Sequence, residues 1–261
     1  MLSKTYKLCS WNVNGIRAVE KKGFLDWMKD AEMDVVCLQE TKAQPDQLSE
    51  ALLHPIGYES YWSSAVRKGY SGTAIYTKTS PILAMTSFSD ALLDGEGRIV
   101  LLEYEDFFLF NVYFPNGGSG AERLAFKMKF YDRFLHEIES FRKKKPIVIC
   151  GDVNTAHQPI DLAHPKANEK TSGFLPIERA WMDKLFAHGY IDTFRYLHPD
   201  EAERYSWWDM KTFARSRNIG WRIDYFIVSE ELKSSIQSAD IHADVMGSDH
   251  CPVTLVLGRK E

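Results

Sequence analysis

Five short polar segments interrupt this chain, and each lies at one edge of an apolar, strand-like run. Runs of this kind, rich in β-branched and aromatic residues, predict buried β-strands. Polar residues at the ends of such strands can therefore meet at one rim of a sheet although they come from distant parts of the chain. Their carboxylates, carboxamides and single imidazole suit a hard metal ion and a phosphate. The segments are 11–14 (WNVN), 38–40 (LQE), 151–154 (GDVN), 222–224 (RID) and 248–250 (SDH).

The remaining pattern predicts a mixed α/β fold with two sheets. Two strands at 98–104 and 107–113 are separated by two acidic residues and read as a hairpin, and the clearest helix covers 121–142. Irregular alternation of strands and helices favours packed layers over a Rossmann pattern. A length of 261 residues with 44% apolar content fits a single domain over 1–261. Further strands are predicted at 6–11, 35–38, 73–76, 147–150, 225–228 and 253–257, and further helices at 23–30 and 177–188.

Charge and cysteine content restrict the class of protein. The net charge of -4 argues weakly against a nucleic-acid partner, because phosphate contacts require Lys and Arg, but local clustering can override it. Cys9, Cys37, Cys150 and Cys251 form no C-x-x-C pair, which argues against zinc and predicts four buried thiols. No apolar run approaches the ~20 residues of a membrane span, and no signal peptide is apparent. We expect an intracellular location, cytoplasmic in a bacterium or archaeon, and no membrane partner.

Taken singly, the polar residues at strand ends have simpler explanations. Glu40 can ligate Mg²⁺, but a carboxylate at a strand end is more often solvated or caps a helix. The pair Asn12 and Asn14 lies on one face of an extended segment, as does the pair Asp152 and Asn154. Either pair can instead form a turn that ends its strand. Segments 9–14 and 150–154 also echo each other, which hints at two similar halves facing one site.

The segment 248–250 places a carboxylate beside an imidazole. Neighbouring residues on a strand point apart, so Asp249 and His250 reach one site only from a turn. Asp224 can accept a proton from one ring nitrogen of His250, which fixes the tautomer and favours the imidazolium. The alternative is a polar pair whose hydrogen bonds are satisfied within the protein.

A second pattern, aromatic and basic, occupies 205–222. Trp, Phe, Arg and Lys interleave there in a loop-like stretch. Aromatic rings can stack on bases or line an apolar pocket, while basic side chains contact phosphates. The alternative is a set of core tryptophans with a solvated basic loop. Lys166 and Lys170 add positive charge in a polar segment, 161–172, that we expect to be exposed.

The order of these motifs resembles one known family. The series 11–15, 38–42, 111–116, 151–154, 220–225 and 247–252 is similar to that of the exonuclease III family, the apurinic/apyrimidinic endonucleases of the endonuclease/exonuclease/phosphatase superfamily. The resemblance spans about 7–257. It implies a four-layer α/β sandwich, in which two packed mixed β-sheets are flanked by helices. It also implies Mg²⁺-dependent cleavage of DNA 5′ to abasic sites, with 3′–5′ exonuclease or 3′-phosphodiesterase activity and with Mn²⁺ able to substitute.

The same resemblance implies roles for individual residues. Glu40 resembles the principal metal ligand and Asp152 the group that activates water, although the sequence leaves open whether Asp152 or His250 is the base. The implied catalytic residues are Tyr113, Asp152, Asn154, Asp224 and His250. The implied metal set is Asn12, Glu40, Asp152, Asn154, Asp249 and His250. The implied DNA-binding residues are Asn116, Lys166, Lys170, Trp207, Lys211, Arg215, Trp221 and Ile223, of which Trp207, Trp221 and Ile223 match the pocket for a flipped-out abasic sugar.

Two departures from the family pattern concern DNA contacts. The small residues at 117–120 (GGSG) stand where some relatives have a large basic side chain that enters the DNA, and Lys211 replaces an apolar minor-groove contact. They leave the balance between endonuclease and exonuclease activity open. The expected partner is double-stranded DNA with abasic sites or 3′-blocked ends, bound by a monomer.

Two other functions are compatible with part of the pattern. A phosphatase of the same superfamily acting on a small phosphoester would share the acidic residues, but the aromatic-basic segment 205–222 serves DNA better. A protein that recognises DNA damage without cutting it gains nothing from carboxylates beside phosphate.

Overall fold

The central strands of this protein are short apolar runs because they are buried on both faces. A computed structural model of the chain, which describes residues 2–258, arranges the strands in two six-stranded sheets and one two-stranded ribbon. The strands are β1 Tyr6–Asn12, β2 Val35–Gln39, β3 Glu59–Ser63, β4 Thr73–Thr77, β5 Leu83–Met85, β6 Ile99–Glu103, β7 Phe108–Tyr113, β8 Ile147–Asp152, β9 Tyr190–Asp192, β10 Trp207–Trp208, β11 Gly220–Trp221, β12 Asp224–Ser229, β13 Ile236–Ile241 and β14 Val253–Leu257.

The longest helix follows the predicted bounds of 121–142, because its buried side chains form one stripe along the helix. The α-helices are α1 Ile16–Glu20, α2 Phe24–Asp30, α3 Glu50–Leu53, α4 Ala91–Asp94, α5 Ala121–Arg142, α6 Pro165–Asn168, α7 Pro176–Ala187 and α8 Thr193–Leu197. Short 3-10 helices cover Pro45–Gln47, Pro159–Asp161, Met210–Thr212, Ala214–Arg217 and Glu230–Ser235.

The two large sheets are built alike. Their strand orders are β13-β14-β1-β2-β4-β3 and β5-β6-β7-β8-β12-β9. Each contains one parallel pair, β1 with β2 or β7 with β8, and antiparallel pairs elsewhere. The strands that carry the echoed segments, β1 and β8, occupy equivalent central places. The predicted hairpin is β6 with β7, and the predicted fold of two packed mixed sheets is confirmed.

Three apolar clusters hold the layers together. The central cluster contains side chains of both sheets, whereas a second lies between the β6–β12 sheet and helices α5 and α7. A third joins the outer face of β1, β2 and β4 to helices α1, α2 and α3. The order helix, sheet, sheet, helix is therefore the predicted four-layer sandwich. All four cysteines are buried and free, as predicted. Over residues 2–258, helices long and apolar enough to span a bilayer are absent.

Chain direction brings the polar segments to one rim. The parallel strands β1 and β2 end there, as do β7 and β8 in the other sheet. Strands β12 and β14 run antiparallel to β8 and β1, so they begin at this same rim. The Asn12 amide at the end of β1 donates to Asp152 Oδ2 at the end of β8 across 2.9 Å, which joins the two sheets. The functional side chains meet around this contact.

Candidate active site

Two Asx turns shape the ends of the central strands. Asn12 Oδ1 accepts the Asn14 N–H at 3.0 Å, and Asp152 Oδ1 accepts the Asn154 N–H at 2.8 Å. Asn14 and Asn154 have φ of 47° and 55°, a left-handed conformation that Asn tolerates better than most residues. The prediction that each pair shares one face of an extended segment is wrong, because the chain turns at the second Asn. The second turn still leaves Asp152 and Asn154 together in a cleft.

An acidic cluster lies at the centre of the rim. One ligand atom each from Glu40, Asp152 and His250 lies within 4.8 Å of the others. The Asn12 amide donates to Glu40 Oε1 at 3.1 Å as well as to Asp152, and Lys42 Nζ lies 2.8 Å from Glu40 Oε2. Two carboxylates at this spacing form an oxygen-rich donor set of the kind that Mg²⁺ or Mn²⁺ prefers.

The other three predicted metal residues surround this cluster and are held by hydrogen bonds. Asn12 uses its amide nitrogen toward the carboxylates, so it orients the ligands in this arrangement. Asn154 Nδ2 donates to Asp152 Oδ2 at 3.2 Å and points its amide at that carboxylate. Asp249 lines the same cleft, where its Oδ2 accepts the Trp207 indole N–H at 3.2 Å.

A buried dyad supports the imidazole. His250 Nδ1 lies 2.8 Å from Asp224 Oδ2, and His250 Nε2 lies 3.9 Å from Asp152 Oδ2. The Ser206 hydroxyl donates to the same Asp224 oxygen at 2.6 Å. Burial opposes protonation of His250, but the charge and hydrogen bond of Asp224, with help from Asp152, raise its pKa to about 10. The ring is therefore an imidazolium at neutral pH, and its Nε2 faces the acidic cluster.

The pKa values of the two carboxylates in the cluster are shifted in opposite directions. Burial, Asp224 and Glu40 raise the pKa of Asp152 to about 8, against the opposing effect of His250. For Glu40, burial is outweighed by Lys42 and by hydrogen bonds, so its pKa is lowered and it stays ionised.

Tyr113 keeps its proton in this site. Burial, together with the charges of Glu40 and Asp152, holds the pKa of its phenol well above the ordinary value. The phenol is hydrogen-bonded to Glu40 and lines the cleft. Tyr113 can therefore donate a hydrogen bond to a bound anion at neutral pH.

An aromatic wall closes one side of the cleft, whose volume is about 180 Å³. Trp207 and Trp221 pair across the β10–β11 ribbon with ring centroids 6.3 Å apart, and Ile223 is buried beside them. The segment 171–173 lines the same cleft, with Gly173 packed against the Trp221 ring, and Asn116 lies at the edge next to Asn154. The structure thus brings the predicted pocket residues to the acidic cluster.

The predicted basic residues fall into two groups. Lys166, Lys170 and Lys211 are exposed. The guanidinium of Arg215 is half-buried, lies 4.6 Å from the centroid of the Trp208 ring and donates to three backbone carbonyls at 2.7–3.0 Å. This geometry favours a role for Arg215 in holding the loop beside Asp249.

The sequence patterns missed two residues of the site. Lys42 forms an ion pair with Glu40, and the left-handed backbone conformations of both residues are not readable from their spacing of two in the sequence. Ser206 donates to Asp224 and accepts the N–H groups of Ile223 and Asp224 at 3.1 Å. No sequence signal separates this serine from any other.

The two packed six-stranded sheets, with an acidic cluster and an imidazolium at one rim, have the donor chemistry of a metal-dependent phosphoesterase. Residues 9–250 match the family described as Endonuclease/Exonuclease/phosphatase family, and the chain belongs to that family. The exodeoxyribonuclease of Bacillus subtilis (strain 168) is 48% identical over 252 residues, which cover 96% of this chain and 99% of that protein.

Solved structures agree with this assignment. The catalytic domain of Xenopus laevis APE2 superimposes with a TM-score of 0.86 at 32% identity, covering 98% of this chain and 93% of that one. The 3′-5′ exonuclease NExo from Neisseria meningitidis superimposes with a TM-score of 0.89 at 25% identity, covering 97% and 100%. The predictions of the family, the fold and the enzyme class are confirmed.

Proposed function

We propose that this protein is a Mg²⁺-dependent DNA repair nuclease that cleaves the phosphodiester 5′ to an abasic site and removes nucleotides or blocking groups from 3′ ends. The observation that carries the proposal is the convergence of Glu40, Asp152 and His250 beside the pocket of Trp207 and Trp221. The names of the relatives, an exodeoxyribonuclease and a 3′-5′ exonuclease, support the reaction class.

The donor set fits a divalent cation. Glu40 and Asp152 present carboxylate oxygens to one point, and the amide of Asn12 holds both in place. We assign Glu40 as the principal ligand, because its lowered pKa keeps it ionised. Mg²⁺, for which Mn²⁺ can substitute, supplies Lewis-acid stabilisation of the charge that develops on the phosphate oxygens.

Different side chains of the site accept and donate protons during the proposed reaction. Asp152, with a pKa of about 8, is matched to taking a proton from water near neutral pH, and Asn154 orients that carboxylate. His250 is already protonated, so it serves as a donor to a phosphate oxygen and not as the base. Tyr113 donates a second hydrogen bond to the phosphate. Asp224 keeps the imidazolium charged and oriented.

The pocket accounts for the choice of substrate. An abasic sugar costs less to flip out of the duplex than a paired nucleotide, and a small apolar pocket excludes a base. Trp207, Trp221 and Ile223 would contact the sugar, while Lys166 and Lys170 are exposed for contact with DNA phosphates. One chain contains every residue assigned here, so we propose that the monomer is active.

The test compares duplexes that carry one tetrahydrofuran site, one nick or one 3′-phosphate, each with Mg²⁺ or with EDTA. We expect incision 5′ to the tetrahydrofuran site only with Mg²⁺, and an absence of incision with Mg²⁺ would overturn the proposal. Asp152→Asn and His250→Asn should each slow single-turnover cleavage by about 10²–10⁴-fold while DNA binding persists. Asp132→Asn, an exposed carboxylate on α5, is the matched control.

A further inference from the structure

A fully buried ion pair lies behind the cleft. Lys127 Nζ of α5 and Glu178 Oε1 in the first turn of α7 are 2.7 Å apart, and neither side chain reaches solvent. Burying two charges costs several kcal/mol per ion unless every hydrogen-bonding position is used. The other bonds of this pair are therefore informative, and they lead to the active site.

The lysine holds the chain at a catalytic residue. Its ammonium donates to the backbone carbonyl of Asn154 at 2.8 Å and to Thr155 Oγ1 at 3.0 Å, in addition to Glu178. An ammonium has three protons, so all of its donor capacity is used. Lys127 thus fixes the backbone of the residue that orients Asp152.

The glutamate holds the wall of the cleft. Its Oε1 accepts the Ser172 hydroxyl at 2.8 Å, and its Oε2 accepts the N–H groups of Gly173 at 2.6 Å and Leu175 at 3.0 Å. Gly173, with φ of 98°, lies so close to Trp221 that a Cβ at this position would meet the indole ring at 3.2 Å. Glu178 therefore sets how near 171–173 approaches the aromatic wall.

We infer that Lys127 and Glu178 are positioning residues that fix segment 171–173 in the lining of the cleft and so set its selectivity for an abasic sugar over an intact nucleotide. The inference rests on the proposed function. One pair connects Asn154, which orients Asp152, to the segment 171–173 that packs against Trp221, so loosening the pair changes both reaction geometry and fit. With the cleft at about 180 Å³, we expect an abasic sugar to fit without rearrangement, whereas a base-bearing nucleotide needs segment 171–173 to move.

Glu178→Gln isolates this connection. The amide keeps the shape of the side chain, but it offers one acceptor oxygen where the carboxylate offers two. Its NH₂ group must then face either Lys127 or the N–H groups of Gly173 and Leu175, so one set of donors loses its partner. We expect kcat/KM for tetrahydrofuran incision to fall at least tenfold relative to kcat/KM for removal of an intact 3′ nucleotide, since a displacement of about 1 Å can cost about 10²-fold.

Glu103→Gln is the matched control. Glu103 lies at the end of β6 that is farther from the active-site rim, and its carboxylate is 2.6 Å from Lys145 Nζ. Glu103→Gln therefore also removes the carboxylate charge from a partly buried ion pair. It should leave the ratio of the two activities unchanged. If Glu178→Gln fails to fold, Ser172→Ala carries the same test, because it removes one bond to the wall without leaving a buried charge unpaired.

The outcomes separate the two proposals. Wild-type protein that does not incise DNA contradicts the proposed function. Wild-type protein that incises, with an unchanged ratio in Glu178→Gln or in its substitute Ser172→Ala, shows that the pair serves folding alone and overturns the inference.

Discussion

The strongest quantitative prediction concerns Asp224→Asn. Asp224 is the main group that raises the pKa of His250, and it is also the main charge that raises the pKa of Asp152. Asparagine retains the size of the side chain and removes the charge. Both pKa values should therefore fall, and the pH range in which His250 is protonated while Asp152 is ionised should move toward acid.

The size of the effect follows from the two pKa values. At pH 8 a histidine with a pKa of about 10 is about 99% protonated, whereas one at the ordinary 6.5 is about 3% protonated, a loss of about 30-fold. Asp152 with a pKa of about 8 is about half ionised at pH 8, so its full ionisation in the variant returns about twofold. We expect kcat/KM to fall about 15-fold at pH 8, the two enzymes to be equal near about pH 7.2, and the variant to be the faster enzyme below that pH, where wild-type Asp152 is mostly protonated.

The assay is the pH profile of kcat/KM between pH 5.5 and 9.5 on a duplex with one tetrahydrofuran site. Ser206→Ala is the control, because it removes a hydrogen bond from Asp224 Oδ2 but leaves the carboxylate charge in place. It should leave the pH optimum unchanged. A profile for Asp224→Asn that runs parallel to the wild-type profile at every pH would refute the electrostatic role of Asp224.

Three further predictions address DNA contact, stability and metal binding. Replacing both Lys166 and Lys170 with Ala should reduce the slope of log Kd against log salt by about 1.8 in fluorescence anisotropy, because each phosphate contact contributes about 0.9. Arg222→Met should lower the free energy of unfolding in urea by about 3–5 kcal/mol, since it removes the buried guanidinium that pairs with Asp161 at 2.9 Å and with Asp192 at 2.7 Å. Because the folded-state pKa of Asp152 is raised, protonation stabilises the metal-free fold fully below pH 3.8 and this stabilisation is lost as pH rises through about 8. The Tm measured in EDTA should therefore fall between pH 6.5 and 9. Mg²⁺ should raise Tm more at pH 8.5 than at pH 6, because at pH 8.5 protons no longer compete with the metal for Asp152.

Each of these predictions has its own control. Replacement of Lys143 and Lys144, two exposed residues after α5, should leave the salt slope unchanged. Lys184→Met removes an exposed ion pair with Asp132 and should cost less than about 1 kcal/mol. Equal Mg²⁺ stabilisation at both pH values would contradict proton competition at Asp152.

The sequence was most informative where the chain is buried. Helix α5, which is 22 residues long, could be placed at 121–142 because apolar residues recur at helical spacing from Leu124 to Ile138. Strands such as β2 and β8 were visible because continuous burial selects continuous apolar runs. Strands β3 and β13 were missed, since they lie at sheet edges where exposed polar residues interrupt the pattern.

The types of functional group in the site could also be predicted from the sequence. The order of six motifs indicated the family, and the carboxylates, amides and imidazole needed for phosphoester hydrolysis are local features of those motifs. Their mutual distances were not readable, because Asn12 and Asp152 are separated by 140 residues and meet only when two sheets pack. The left-handed turns at Asn14 and Asn154 likewise replaced the extended geometry expected from local periodicity.

The sequence by itself determined which layers this protein forms and which functional groups stand at the strand ends, because burial and hydrophobic periodicity are local properties. Only the tertiary structure decided what those groups do together. The roles of Asp152 and His250 depend on burial and on charges at distances of a few ångströms, which packing alone creates. The Lys127–Glu178 pair behind the cleft also forms only when helices α5 and α7 pack together. Neither residue belongs to a recognisable sequence motif, so the pair could not be predicted from the sequence.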